Sequence, residues 1–403
     1  MGDRGQLRPQ KRAIFFVFDG GTGIGHLRRL SSIAKALQGP FSCLIVTSHR
    51  AAAAWFVPPE CEYVHLPAWD SLLPEKASYW GRQPYLSVDA GEALDLRRNL
   101  LQGIVDSFKP DVMFVDHLPL GMRDELEPIV AGAQCLKYLV TRGVQNETEN
   151  LAELLLAGKA RDSIKRHYDR VFLAIDQRVF DFGKRYRAFD EVAGKLCPVG
   201  YVIEPIASDA IAECRRARGL GAGDFWAVAS AGGGQLGEGL IAACCELART
   251  HKEFAFDIVI GPRSRLPRES LTACAAANPK LRLHDDAPDL SSWHSAADIV
   301  ISSGGYNSLL ESLRGTARII CVPNRKSERD EQYAHAACLR RFATIDLDLD
   351  PGRLPAMFEE AAAALRKGPN VDRRAELDFA GAAAIRRIAL ADSGLESDEP
   401  APR

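Results

Sequence analysis

The chain has 403 residues, 46% of them hydrophobic and 26% charged, an ordinary globular composition on a chain too long for one average core, so two lobes are expected. Its 51 basic and 53 acidic side chains leave a formal net charge of -2, which excludes a global field for nucleic acid or an acidic polymer. The ten cysteines include no pair at metal-ligand spacing and read as reduced core residues, and the apolar run after the basic segment ending at Arg12 is too short for a signal sequence or membrane span. A cytoplasmic protein without a bound metal is expected.

Ile14 Phe15 Phe16 Val17 Phe18 reads as a buried strand that breaks into Asp19 Gly20 Gly21 Thr22 Gly23 Ile24 Gly25 His26, followed by a helical pattern over residues 27–37. A strand emptying into a glycine-rich turn at a helix start lets backbone amides approach a ligand closely. The dinucleotide fingerprint is weak here, because His26 stands where its third glycine should be. A nucleotide triphosphatase phosphate loop fails, since His26 and Leu27 replace its Lys and hydroxyl residue. Two readings stay open: a ligand loop ending in a chemically active histidine, or a tight turn whose glycines supply positive backbone angles and whose His26 is a satisfied helix-start residue.

Further strands are expected at residues 41–47, 62–66, 111–115, 136–140 and 170–174, with helices near 51–56, 90–107 and 149–167. That alternation predicts a doubly wound parallel sheet. Residues 67–89 carry Trp69, Tyr79, Trp80 and Tyr85 and fit either an acceptor-recognition loop or a long loop anchored by its aromatics. Pro198, Gly200 and Pro205 mark a crossing, after which the pattern restarts with strands at 225–230, 254–260, 281–284, 299–302 and 319–322. A last helical pattern through Leu377, Gly381, Ile385 and Ile388 fits either lobe, and the segment after Ala391 reads as a disordered acidic tail. The domains expected are therefore residues 1–202, residues 203–390 and the tail 391–403.

The second half opens with the same device as the first. Gly232, Gly234 and Gly237 satisfy the dinucleotide spacing, with Gly233 between them, but the acid that should follow, Asp257, falls inside an apolar strand rather than at its end. Phosphate binding by these amides is the better reading. In Ile299 Val300 Ile301 Ser302 Ser303 Gly304 Gly305 Tyr306 Asn307 Ser308 Leu309 Leu310 Glu311, a strand runs through two glycines into a helix start. Amides there, with Asn307 and the Ser308 hydroxyl, suit a diphosphate. Glu311, one turn in, can accept bonds from two ribose hydroxyls. Beyond the next strand, Glu331 Gln332 stands before another helix, a placement suited to a sugar.

At these residues the chain resembles a glycosyltransferase of the two-Rossmann-lobe type called GT-B, within the group related to the bacterial peptidoglycan N-acetylglucosaminyltransferase (family 28-like). Gly305 to Glu311 has that group's spacing, Glu331 Gln332 matches its sugar-contacting pair, and His284 and Asp285 with Asp286 resemble its base-binding loop. Gly25 His26 Leu27 Arg28 Arg29, Val115 Asp116 with Pro119 Leu120 Gly121, and Gly305 Tyr306 Asn307 resemble more closely a set of bacterial predicted glycosyltransferases of unassigned substrate. The loop at residues 324–331 is strongly charged, a departure that leaves the sugar open.

The resemblance implies an α/β fold of two Rossmann-like lobes facing across a cleft, and a hexosyltransferase moving a sugar from a nucleotide diphosphate sugar, expected to be a UDP-sugar, to an acceptor hydroxyl with inversion. It implies no cofactor and no metal, the nucleotide sugar being a substrate. The acceptor is an unassigned small molecule or lipid-linked compound, with peripheral membrane contact not evident and no nucleic acid partner. His26 becomes a candidate base oriented by Asp116, against a phosphate-contacting His26 and a helix-capping Asp116. Gly23 and Gly25 would line the acceptor side. The donor diphosphate falls to Gly232, Gly233, Gly234, Gly304, Gly305, Asn307 and Ser308, with Arg263 either a diphosphate cation or a solvated loop arginine. A nucleotide-sugar hydrolase or epimerase, a silent nucleotide-sugar sensor and a nicotinamide oxidoreductase are the rival readings.

Overall fold

The computed structural model describes residues 10–17, 24–69, 86–145, 158–204, 206, 208–221, 223–232, 237–261, 264, 266–323 and 330–395. The chain divides into two compact units. Described residues up to Gly143, from 158 to Ile203 and from Asp378 onward make the first, and Glu204–Leu377 with residues 144 and 145 make the second.

In the first unit the strands are β1 (Lys11–Phe16), β2 (Phe41–Thr47), β3 (Glu62–His65), β4 (Val112–Asp116), β5 (Leu136–Arg142), β6 (Arg170–Ala174) and β7 (Leu196–Pro198). They form one parallel sheet in the order β3-β2-β1-β4-β5-β6-β7. The central strands are mostly apolar because helices cover both faces: all of Val112–Asp116 is buried, and Phe15 of β1 stacks on Phe114 of β4 with ring centroids 4.7 Å apart. The helix Ala90–Phe108 starts at a capping box in which Asp89 accepts from the backbone of Glu92 and the Glu92 side chain accepts from the Asp89 amide.

The second unit repeats the plan with β8 (Trp226–Ser230), β9 (Ala255–Val259), β10 (Leu281–His284), β11 (Ile299–Ser302), β12 (Arg318–Cys321) and β13 (Ile345–Leu347), ordered β10-β9-β8-β11-β12-β13 and parallel throughout. Each unit is thus a Rossmann-like doubly wound sheet, as the alternation of strand and helix predicts. Among the described residues, no helix is long and apolar enough to cross a membrane.

The helix Gly381–Asp392, left open to either lobe by its pattern though the expected range 203–390 put it with the second, packs on the first unit, with Ile385, Ala389 and Leu390 entering the core beside Phe114 and Phe172. Asp392 fastens its end by accepting from Tyr138 Oη at 2.9 Å and from Arg170 Nε and Nη2 at 2.6 and 2.7 Å. Gly381 fastens its start: a Cβ there would lie 2.7 Å from the Tyr201 carbonyl oxygen, so only glycine admits this approach. Of the expected tail, residues 391–392 complete the helix, and residues 396–403 lie outside the described residues. Ile385→Ala is expected to lower stability by about 2–4 kcal/mol in urea unfolding followed by tryptophan fluorescence, the cost of a cavity at a fully buried site. A loss below about 0.5 kcal/mol would count against this docking.

Candidate active site

The first unit's candidate residues meet where its sheet changes winding direction. β1 and β4 are neighbours, the helix Gly25–Leu37 follows β1, and Asp116 is the last residue of β4. His26 is the second residue of that helix and lies beside Asp116, its Nδ1 2.6 Å from Oδ2. Asp116 is ionised and can only accept, so His26 Nδ1 donates and Nε2 keeps its lone pair. Arg29, one helical turn beyond His26, donates through Nη2 to Asp116 Oδ1. The carboxylate is therefore shared between an imidazole and a guanidinium, with its own side chain fully buried and Arg29's 3% exposed, while His26 keeps 20% exposure.

Burial works against the charge of Asp116, but the guanidinium of Arg29 and the ring of His26 outweigh it and hold the carboxyl well below the usual range. His26 is moved below its ordinary value by burial; Asp116 opposes this, and the cations Arg29 and Arg142 add to it. A second histidine, His117, follows Asp116 in a left-handed conformation (φ 64°), its ring centroid 5.4 Å from that of His26 and its Nδ1 3.4 Å from Thr141 Oγ1. Burial drives its pKa far down; a protonated His26 would push the same way, as the Arg142 charge does. The arrangement offers a neutral, partly exposed imidazole, oriented from behind by a charged acid. Gly25 is the first helical residue, and Gly23 lies outside the described residues.

In the second unit β8 and β11 hold the same central position, and both run into glycines with positive φ, Gly232 at 71° and Gly304 at 77°. Gly304 sits tightly: a Cβ would come 2.7 Å from Cys321 Sγ and 3.6 Å from Gln332 Cβ. The expected diphosphate turn and Gln332 are thereby brought together. Gly305 caps the helix Tyr306–Ser312, which carries Asn307 and Ser308 in its first turn and Glu311 in its second. Glu331 and Gln332 begin the helix Asp330–Leu339, tied to the preceding helix by the stacking of Tyr306 on His335, centroids 5.3 Å apart. Gly233, Gly234 and Arg263 lie outside the described residues.

Glu311 is held from inside the unit. It is 1% exposed, with Oε2 3.2 Å from Nδ1 of the fully buried His294, whose Nε2 lies 3.3 Å from the Ser230 hydroxyl at the end of β8. His284 is committed otherwise: its Nε2 lies 2.7 Å from Asp257 Oδ1, and its ring packs edge-on to Trp293. Asp257 also accepts from Arg218 and from Trp226 Nε1, which makes it a core anchor and removes it as a cofactor-binding acid. Asp285 follows directly after β10. Sequence reasoning passed over three residues: Arg29, whose i+3 spacing from His26 was a usable signal, His117, adjacent to Asp116, and His294, for which the sequence carries no signal.

Comparison with known proteins follows this division. Residues 234–364 match the glycosyltransferase family 28 C-terminal domain. That stretch contains Gly304 to Glu311 and the Glu331 Gln332 pair. Among solved structures, the glycotransferase of kitacinnamycin is 16% identical with a TM-score of 0.61, over 97% of this chain and 100% of that one. SnogD, a glycosyltransferase from Streptomyces nogalater, is 17% identical with a TM-score of 0.59, over 95% of this chain and 100% of that one. A putative UDP-N-acetylglucosamine 2-epimerase from Listeria monocytogenes is 12% identical with a TM-score of 0.60, over 98% of this chain and 99% of that one. At such identities the likeness is one of fold, two parallel-sheet Rossmann-like domains as in GT-B glycosyltransferase structures. No curated protein matches by sequence.

The depressed histidines have a measurable consequence. As pH falls below about 6.5 the unfolded chain takes up protons that buried His26 and His117 refuse, so stability falls until each folded-state pKa is passed. Asp116 has the opposite history: its contribution persists down to about pH 4 and is lost only below that, outside this window. Melting temperature is expected to drop between pH 7 and 5, and His117→Gln to flatten the slope. An unchanged slope would show that His117 protonates freely in the folded protein.

Proposed function

We propose that the protein is a glycosyltransferase that moves a sugar from a nucleoside diphosphate sugar, most simply a UDP-sugar, to an acceptor hydroxyl with inversion. The observation that carries this reading is the family 28 match over residues 234–364, which spans the turn at Gly304, Glu311 and Gln332. The second domain holds the donor. Amides around Gly232 and Gly304–Gly305, with Asn307 and Ser308, take the diphosphate, Glu311 the ribose, Asp285 and the backbone at His284 the base, and Glu331 with Gln332 the sugar.

The first domain supplies the base. His26 Nε2 accepts the acceptor hydroxyl proton while that oxygen attacks the anomeric carbon, and the bond to the nucleoside diphosphate breaks with its electron pair. Asp116 holds the Nδ1–H tautomer and stabilises the imidazolium formed. Charge on the departing diphosphate falls on the glycine-loop amides, without a requirement for metal. The acceptor is a hydroxyl-bearing small molecule or lipid-linked compound met in the cytoplasm.

The fold likeness to UDP-N-acetylglucosamine 2-epimerases supports a second reading, a nucleotide-sugar epimerase. Isomerised or hydrolysed donor in the absence of any acceptor would favour that reading over transfer.

Titration calorimetry with UDP, GDP, ADP and dTDP tests the donor site. One of them is expected to bind, with affinity lowered roughly tenfold to a hundredfold in Glu311→Gln, the loss of charge-assisted bonds, and unchanged in His26→Ala. Failure of every diphosphate would sink the proposal. Once a donor and acceptor pair is found, His26→Ala should lower kcat by about 10²–10⁴.

A further inference from the structure

We infer that Arg29 is a positioning residue for the candidate base His26, acting through the carboxylate they share. Three features carry this. His26 and Arg29 stand one turn apart on the helix Gly25–Leu37, so their side chains leave the same face. Both reach Asp116, His26 through Oδ2 at 2.6 Å and Arg29 through Oδ1, which fixes both oxygens of a carboxylate that is buried on a β-strand and has no room to rotate. Arg29 Nη2 also lies 3.2 Å from His26 Nδ1, so a permanent cation stands behind the imidazole.

A carboxylate and histidine alone would pull the imidazole toward its charged form, because the acid's whole charge faces the ring. A charged imidazole cannot take a proton. With Arg29 on the second oxygen, the carboxylate still orients the ring and fixes its tautomer, but half of its hydrogen-bonding capacity is spent on the guanidinium and the field at the ring is partly cancelled. Among the described residues, titratable and charged groups facing His26 include Asp116 and His117 at the end of β4, Arg29 from its own helix and Arg142 from β5. Burial, with the two cations against the one acid, keeps the ring neutral. Arg29 thus lets one buried acid orient the base without charging it. The role in transfer rests on the function proposed above; the control of the imidazole is a property of the free protein.

The test is the titration of His26 by heteronuclear NMR on the full chain, compared among wild type, Arg29→Lys and Arg29→Met. Arg29→Met should raise the His26 midpoint by about one pH unit, as expected for loss of a charge within 4–6 Å, and Arg29→Lys should leave it near the wild-type value. In activity assays the acid limb of the kcat/KM profile should move up by the same amount in Arg29→Met, with donor KM unchanged. An unmoved His26 midpoint in a folded Arg29→Met protein overturns the inference, as does Arg29→Lys behaving like Arg29→Met. If Arg29→Met does not fold, Arg29→Lys decides together with wild type: a ring carrying its proton on Nε2 in either protein overturns it. Because the titration needs no substrate, loss of all transferase activity in wild type would defeat the proposed function and leave this measurement standing.

Discussion

A parallel strand buried on both faces must hand the chain to a crossover helix, and beside the first strand of each sheet the crossovers leave in opposite directions. The gap they leave at the carboxyl ends of β1 and β4, and again of β8 and β11, is where loops and helix starts converge without strand neighbours to fill the space. Every candidate residue brought together here depends on that constraint. Asp116 is available to His26 because β4 lies next to β1, and Gly304 and Gly232 each follow by two residues the paired ends of β11 and β8, Ser302 and Ser230.

The two gaps are furnished differently. In the first, neutral His26, ionised Asp116 and cationic Arg29 are held almost out of water, where removing one partner from a buried ion pair costs about 3–5 kcal/mol. That rigidity suits proton transfer, which needs a fixed tautomer and a fixed direction. In the second, Gly232 and Gly304 follow the strand ends, and the buried polar side chains Ser230, His294 and Glu311 form a relay. The relay has the order of a hydrolase triad, yet all three residues are buried, so it braces the site from within instead of presenting a nucleophile. Backbone amides above and a braced acid below suit an anionic ligand bound without chemistry of its own.

Much of this was legible in residue order. Apolar runs such as residues 14–16 and 299–301 announce central parallel strands because both faces must be covered, and Gly304, three residues beyond the second run, announces a turn with positive φ. The three-residue edge strands β7 and β13 were not legible, since an edge strand needs few apolar residues. The amphipathic helix from Gly381 was visible as a helix, but its partner was not: an apolar stripe records that a face is covered, not which core covers it.

The sequence by itself determined two doubly wound sheets and the glycine turn at Gly304, because these follow from periodicity and short-range sterics. Only the tertiary structure decided that Arg29 and His26 close on the two oxygens of one carboxylate some ninety positions away, that Asp257 anchors a core, and that His294 stands behind Glu311. Those outcomes depend on which strands become neighbours and on the desolvation that follows. Neither is written in local spacing, because burial and charge pairing arise from the whole packed unit.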